Sequence, residues 1–246
     1  MTLAQDAPRR RSWGKILLIV LAVIVAVPIL PLVLFRTFLY QPFSIPAGSM
    51  TPTLQVGDQV FVSKFAYGYT HYSLPFSPGW FSGRIFGASP QRGDVVVFRS
   101  PKNDSVDFIK RVVGLPGDRI QMREGQLYIN GLAVQRVRMP DFGGQDPCGS
   151  RGDVATRRWR ERLLNGVSYE TLDCVDNGYL DNTRAFDVPA GHFFMLGDNR
   201  DNSVDSRMSS MGYVPLENII GRAGLIYFAR SPDGTIRTER IGTTVR

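Results

Sequence analysis

"DRIQMREGQLYING" (residues 118–131) alternates apolar and polar side chains, breaks at Glu124-Gly125 and alternates again. Two such runs about a short glycine-containing break read as a β-hairpin. Outward from it lie further short β-type runs bounded by turn residues. They are "DQVFVSK" (58–64), "GDVVVFR" (93–99), "DFIKRVV" (107–113), "AGHFFMLGD" (190–198) and "IIGRAGLIYFA" (219–229). The 25 glycines and 16 prolines fall in groups such as Pro116-Gly117 and Pro232-Asp233-Gly234, which suits turn-rich β structure rather than a helix bundle. The expectation is a mostly β chain, an antiparallel sheet or barrel-like domain over 36–131 and 187–246.

Residues 132–186 differ. They are polar, hold both cysteines and include "RRWRERLL", in which Ala155, Trp159 and Leu163 fall at i, i+4 and i+8. That spacing predicts a short helix packing its stripe on the sheet, with a lipid-binding amphipathic segment as the alternative. The region reads as a smaller α+β insertion into the β domain. The Arg-Gly-Asp triplet at 151–153 reads as chance.

From Ile16 to Phe35 no residue is charged. Twenty residues at helical rise cover roughly 30 Å, one hydrocarbon thickness. A cleavable secretion signal needs only about 7–15 apolar residues and then small ones; here "RTFLYQPF" follows, so 16–35 reads as a retained anchor. Arg9, Arg10, Arg11 and Lys15 precede it, which keeps a tail of residues 1–15 cytoplasmic and exports the rest. In an oxidising compartment the only two cysteines, Cys148 and Cys174, are expected to bond. The net charge of +7 then suits an anionic membrane surface better than nucleic acid. The aromatic loop at 67–87, with Phe76, Trp80, Phe81 and Phe86, either packs as core or dips into the interface. With two histidines and two cysteines scattered along the chain, no zinc spacing exists, and neither metal nor cofactor is expected.

In "PAGSMTPTL" (46–54), Ser49 sits in a stiffened segment just beyond the anchor and reads as an attacking group. A serine hydroxyl needs a base. His71 and His192 have no acid arranged to orient them. Lys110 lies in an apolar strand, and period two puts Phe108, Lys110 and Val112 on one face and Ile109, Arg111 and Val113 on the other. One of the two adjacent cations must therefore face inward or into a cleft. Burial would have to lower the amine from about 10.4 to about 7–8 for it to act as a base. On this strand alone a snorkelling lysine is the better reading. "MLGDNRDNSVDSRMSSMGYVP" (195–215) adds a dense polar loop. Its spacing does not fit a calcium site, and it reads as a hydrogen-bonded loop in which Asp205 pairs with Arg207 and Ser203 offers a hydroxyl.

Four ordered stretches then resemble the boxes of type I signal peptidases, membrane-bound serine proteases that remove signal peptides from exported preproteins. They are "FSIPAGSMTPTL" (43–54), "RGDVVVFRSP" (92–101), "DFIKRVVGLPGD" (107–118) and "GDNRDNSVDSR" (197–207). The resemblance covers the β core and leaves out 132–186. It implies Ser49 as nucleophile, neutral Lys110 as general base and Ser203 as the hydroxyl that orients the amine. Asp205 and Arg207 would be a supporting ion pair and Gly197 the start of their loop. Ile45, Met50 and Ile109 would line small apolar pockets. It also implies signal peptides as substrates, a bilayer contact through 16–35, a single-pass protein of the bacterial inner membrane with a periplasmic catalytic domain, and a monomer. Many Gram-negative relatives carry a serine two residues before the nucleophile; this chain has Ala47. The competing readings are a self-cleaving repressor peptidase and a tethered scaffold module without catalysis.

Overall fold

The structure, a computed structural model, describes residues 13–74, 77, 79, 82–143, 148 and 156–246. Arg9, Arg10 and Arg11, Phe76, Trp80 and Phe81, the 151–153 triplet and Ala155 lie outside them. The apolar run forms helix α1 (Trp13–Leu34), which continues through Pro28 and Pro31 into a π-helical turn, Phe35–Leu39. Together they are long and apolar enough to cross a membrane, and the most apolar 18-residue window of that stretch has no buried residue.

In chain order the strands are β1 (Tyr40–Ser44), β2 (Asp58–Ser63), β3 (Val95–Ser100), β4 (Asn103–Gly114), β5 (Arg119–Arg123), β6 (Gln126–Ile129) and β7 (Leu132–Ala133). They continue with β8 (Gln135–Phe142), β9 (Thr156–Arg162), β10 (Ser168–Asp173), β11 (Phe186–Asp187), β12 (His192–Leu196), β13 (Val214–Pro215) and β14 (Ile219–Ala229). The main sheet runs β1-β2-β14-β3-β4-β12-β13, and its pairings are antiparallel. The architecture is mostly β, as the alternation of the sequence predicts. In the 118–131 hairpin Arg123 faces Gln126, and both turn residues have positive φ, 50° at Glu124 and 72° at Gly125. A two-residue turn of this handedness matches the twist of the strands it joins.

Burial explains the strand order. Val95, Val96, Val97 and Phe98 of β3 are all buried, because β14 and β4 flank the strand and side chains cover both faces. One core cluster joins Ile45, Met50 and Leu54 to Val60, Val62 and Ala223. Another joins Phe98 and Val112 to Phe193 and Met195.

The helix expected around Trp159 does not form; Thr156–Arg162 is strand β9, between β8 and β10. Cross-strand partners explain the difference. On one face Arg158 and Arg160 reach Glu170 of β10. On the other, Arg136 stacks 4.1 Å from the Trp159 ring, Arg157 pairs with Asp173 at 2.7 Å, and Glu161 pairs with Arg200 at 2.5 Å. A lone helix would leave those arginines in water. The three-stranded sheet also shares a core with the main frame, since Leu163 and Tyr169 pack with Val113, Ile120 and Phe194. Cys148 and Cys174 are bonded.

Candidate active site

Ser49 lies in a 3₁₀ turn, Gly48–Met50, reached five residues after β1 ends. Its neighbours hold it from below: Met50 and Leu54 are fully buried, and the Leu54 N–H bonds to the Met50 carbonyl at 2.9 Å. From the side, the Asn199 N–H donates to the Ser49 carbonyl at 3.1 Å, and the Asn199 side-chain amide donates to the Gly48 carbonyl at 3.3 Å. Gly197 completes the support by having no side chain. A Cβ there would stand 2.6 Å from the Ser49 carbonyl oxygen and 2.2 Å from the Ser203 Oγ.

Lys110 enters from β4, which changes character along its length. Residues 103–107 are exposed, whereas Lys110 to Gly114 are buried. β12 pairs with β4 only from Arg111 onward, so the edge before Arg111 lies open on that side. At this junction the Lys110 Nζ donates to the Ser49 Oγ at 2.6 Å and to the Ile109 carbonyl at 2.9 Å. The side chain is 2% exposed. Burial lowers its pKa from the ordinary lysine value to about 8, against the pull of Asp205 and Asp198. Water is a far better solvent for an ammonium than the apolar walls around it, so the neutral amine gains.

Both adjacent cations turn out to be buried. Arg111, fully buried, makes a two-pronged contact with Asp198 at 2.8 and 2.7 Å and donates to the Gly93 carbonyl at 2.7 Å. Thr53 closes this hub by donating to Asp198 at 2.5 Å. The arginine keeps its charge because a carboxylate faces it; the lysine has only a hydroxyl and a carbonyl at hydrogen-bonding distance.

Asp205 and Arg207 form the ion pair read from the sequence, at 2.8 Å in both prongs, and the Gly197 N–H donates to Asp205 at 3.1 Å. Burial alone would raise the Asp205 carboxyl, but the Arg207 guanidinium outweighs it and holds the group below the usual range. Ser203 lines the cleft beside Lys110, and its hydroxyl adds to the hydrogen bonding that keeps the Asp205 carboxyl low. The amine's bonds go to Ser49 and Ile109 instead. Ile45 and Ile109 line the cleft, a hollow of about 580 Å³. Met50 does not: it sits under the serine in the core. The far wall, missed in the sequence, is Tyr179 and Leu180 from the disulfide-bonded region. Asn199 and the Arg111–Asp198 hub were missed too. Their only sequence signal is the polar run after an apolar strand, and it names no partner.

A hydroxyl against a buried amine, at the bottom of a largely apolar cleft, is equipped for acyl transfer, and the class it suggests is a serine hydrolase. The family model described as "Signal peptidase, peptidase S26" matches residues 10–228. The signal peptidase I of Rickettsia typhi is 41% identical over 202 residues, covering 79% of this chain and 74% of that protein. That of Rickettsia massiliae is 36% identical over 228 residues, 89% and 80% of the two chains. A crystal structure of a signal peptidase I from Enterococcus faecalis V583 is 29% identical and covers 55% of this chain and 97% of that one, with a TM-score of 0.33. The chain belongs to the signal peptidase family, peptidase S26, and so to the peptidases among the hydrolases.

Proposed function

We propose that this chain is a membrane-anchored serine endopeptidase that removes signal peptides from exported preproteins, with Ser49 as nucleophile and neutral Lys110 as general base. The observation that carries the reading is the 2.6 Å contact between the Lys110 amine and the Ser49 hydroxyl in a site that disfavours the ammonium. Lys110 accepts the Ser49 proton as the Oγ attacks the scissile carbonyl. The backbone N–H of Ser49, at the start of a 3₁₀ turn where such groups lack helical partners, faces the developing oxyanion. Lys110 then hands its proton to the leaving amine, and a water attacks the acyl-enzyme to complete hydrolysis. The Asp205–Arg207 pair fixes the loop that packs Gly197 under the serine and sets Ser203 beside the amine.

Two extended stretches border the cleft, Ile45 to Ala47 and Asp107 to Ile109. The open β4 edge there suits a substrate bound as an added strand, with main-chain hydrogen bonds giving affinity. Ile45 and Ile109 then favour small side chains on the acyl side of the cut. The apolar helix holds this site at the outer face of the inner membrane, with residues 1–15 in the cytoplasm, the catalytic β domain (36–131 and 187–246) and its insertion (132–186) in the periplasm, and the enzyme acting as a monomer. Phe86 of the 67–87 loop is 86% exposed, which supports a second bilayer contact. A preprotein incubated with wild type, Ser49→Ala and Lys110→Ala tests the assignment. Processing should vanish in both variants; unchanged processing in either removes that residue from the chemistry.

A further inference from the structure

Sharing only Asp107 with the rim of the cleft, a second hollow of about 390 Å³ opens where the apolar helix meets the β frame. Arg36 and Thr37 reach it from the helix end, Lys64 from just past β2 and Arg99 from β3. Lys64 is 3% exposed, yet its ammonium makes one hydrogen bond, to the Thr37 carbonyl at 3.3 Å. Among the described residues no carboxylate pairs with Lys64 or with Arg36. Arg99 differs, since Asp107 pairs with it at 2.7 Å. The hollow therefore holds three cations and one carboxylate, and the carboxylate is already engaged.

An ammonium carries three donors, and burying it without an anion is costly. One long bond to a helix-terminal carbonyl satisfies a single donor, so capping the helix does not account for the site. Burial, and then the charge of Arg36, lower Lys64 to about 8. A bound anion would reverse that. The height of the site names the anion. The 22 residues of α1 span ~33 Å, about one hydrocarbon thickness, so Arg36 stands where the headgroups begin. Val33, Leu74 and Ile220 supply an apolar wall beside the cations.

We propose that this hollow binds the phosphate of an anionic glycerophospholipid through Lys64 and Arg36, with the apolar wall against its glycerol and acyl carbons. The proposal rests on the membrane-anchored reading above. It is tested on the full chain in neutral detergent, titrated with phosphatidylglycerol, phosphatidylcholine or inorganic phosphate while native mass spectrometry counts bound molecules. Phosphatidylglycerol should be retained one to one, and the other two should not. Lys64→Gln and Arg36→Gln should each weaken retention about fivefold, the worth of one interfacial cation, while Lys64→Arg preserves it. Arg36→Gln keeps the test decisive if Lys64→Gln fails to fold. Equal retention by wild type and Arg36→Gln, or equal retention of phosphatidylcholine, overturns the site. Binding of inorganic phosphate without lipid retention overturns the lipid assignment. Flotation with vesicles separates the two readings: a chain that does not float sinks the anchor and this site together, whereas a floating chain whose lipid retention ignores Arg36 sinks this site alone.

Discussion

Lys110 is held where an amine is useful and an ammonium is unwelcome, and the rest of the fold carries that cost. Its folded pKa, about 8, lies below the unfolded value near 10.5. Between those values the unfolded chain binds more protons, so this residue makes stability rise with pH there. Below about 8 the full penalty applies, about 3 kcal/mol for a shift of this size. Lys110→Met should therefore raise the melting temperature at pH 7, the gain should fade toward pH 10.5, and proteolysis should be absent; thermal unfolding across pH checks the sign. Gly197 acts by omission. Gly197→Ala pushes a methyl against the Ser49 carbonyl, and displacing the proposed nucleophile by about 1 Å should cost about 100-fold in kcat with folding retained. Ala47, exposed on the cleft wall, leaves room for a hydroxyl. Ala47→Ser should keep turnover similar or raise it by adding an oxyanion donor; a large fall in kcat with intact folding contradicts an oxyanion site there.

Strand β4 and the loop that follows β12 are one device at the scale of elements. Arg111 and Asp198 lock them together next to Lys110 and Gly197, and Thr53 ties in the serine segment. Breaking a buried pair from one side strands a charge, so Asp198→Asn should cost about 3–5 kcal/mol in denaturant unfolding. Arg111→Met combined with Asp198→Leu should cost less than the two single changes added together. The strands themselves were legible because alternation and turn residues are local signals: "IIGRAGLIYFA" is β14 from end to end. β9 was not. Its arginines are satisfied across strands by Glu170 and Asp173 of β10, its Trp159 stacks with Arg136 of β8, and no local pattern announces that pairing.

For the whole molecule, the disulfide-bonded region is both a staple and a wall. The disulfide closes 26 positions, a loop whose constraint is worth about 3–4 kcal/mol in the chain-entropy model. Beyond it, Asp201 accepts the Cys174 and Val175 N–H groups at 2.7 and 2.9 Å and so holds the segment that carries Tyr179 and Leu180. Replacing both cysteines with serine should lower stability by that amount. It should also raise KM more than it lowers kcat, because in the proposed mechanism the wall meets substrate while Ser49 and Lys110 keep their own supports. Steady-state kinetics with a preprotein peptide reads both. From sequence the serine, the lysine and the Asp205–Arg207 pair could be found, since each stands in a short distinctive run. The Tyr179 wall, Asn199 and the position of Met50 beneath the serine could not, because they depend on how distant segments pack.

An uncharged Lys110 is the centre of the proposed mechanism, and the most direct measurement is an NMR titration of its side chain in the folded protein, using carbon-labelled lysine with Lys110→Arg to assign the signal. An apparent pKa near 8 is expected, matched by a rise of kcat/KM through the same pH. A value of about 10 or above, with enzyme active at neutral pH, contradicts it.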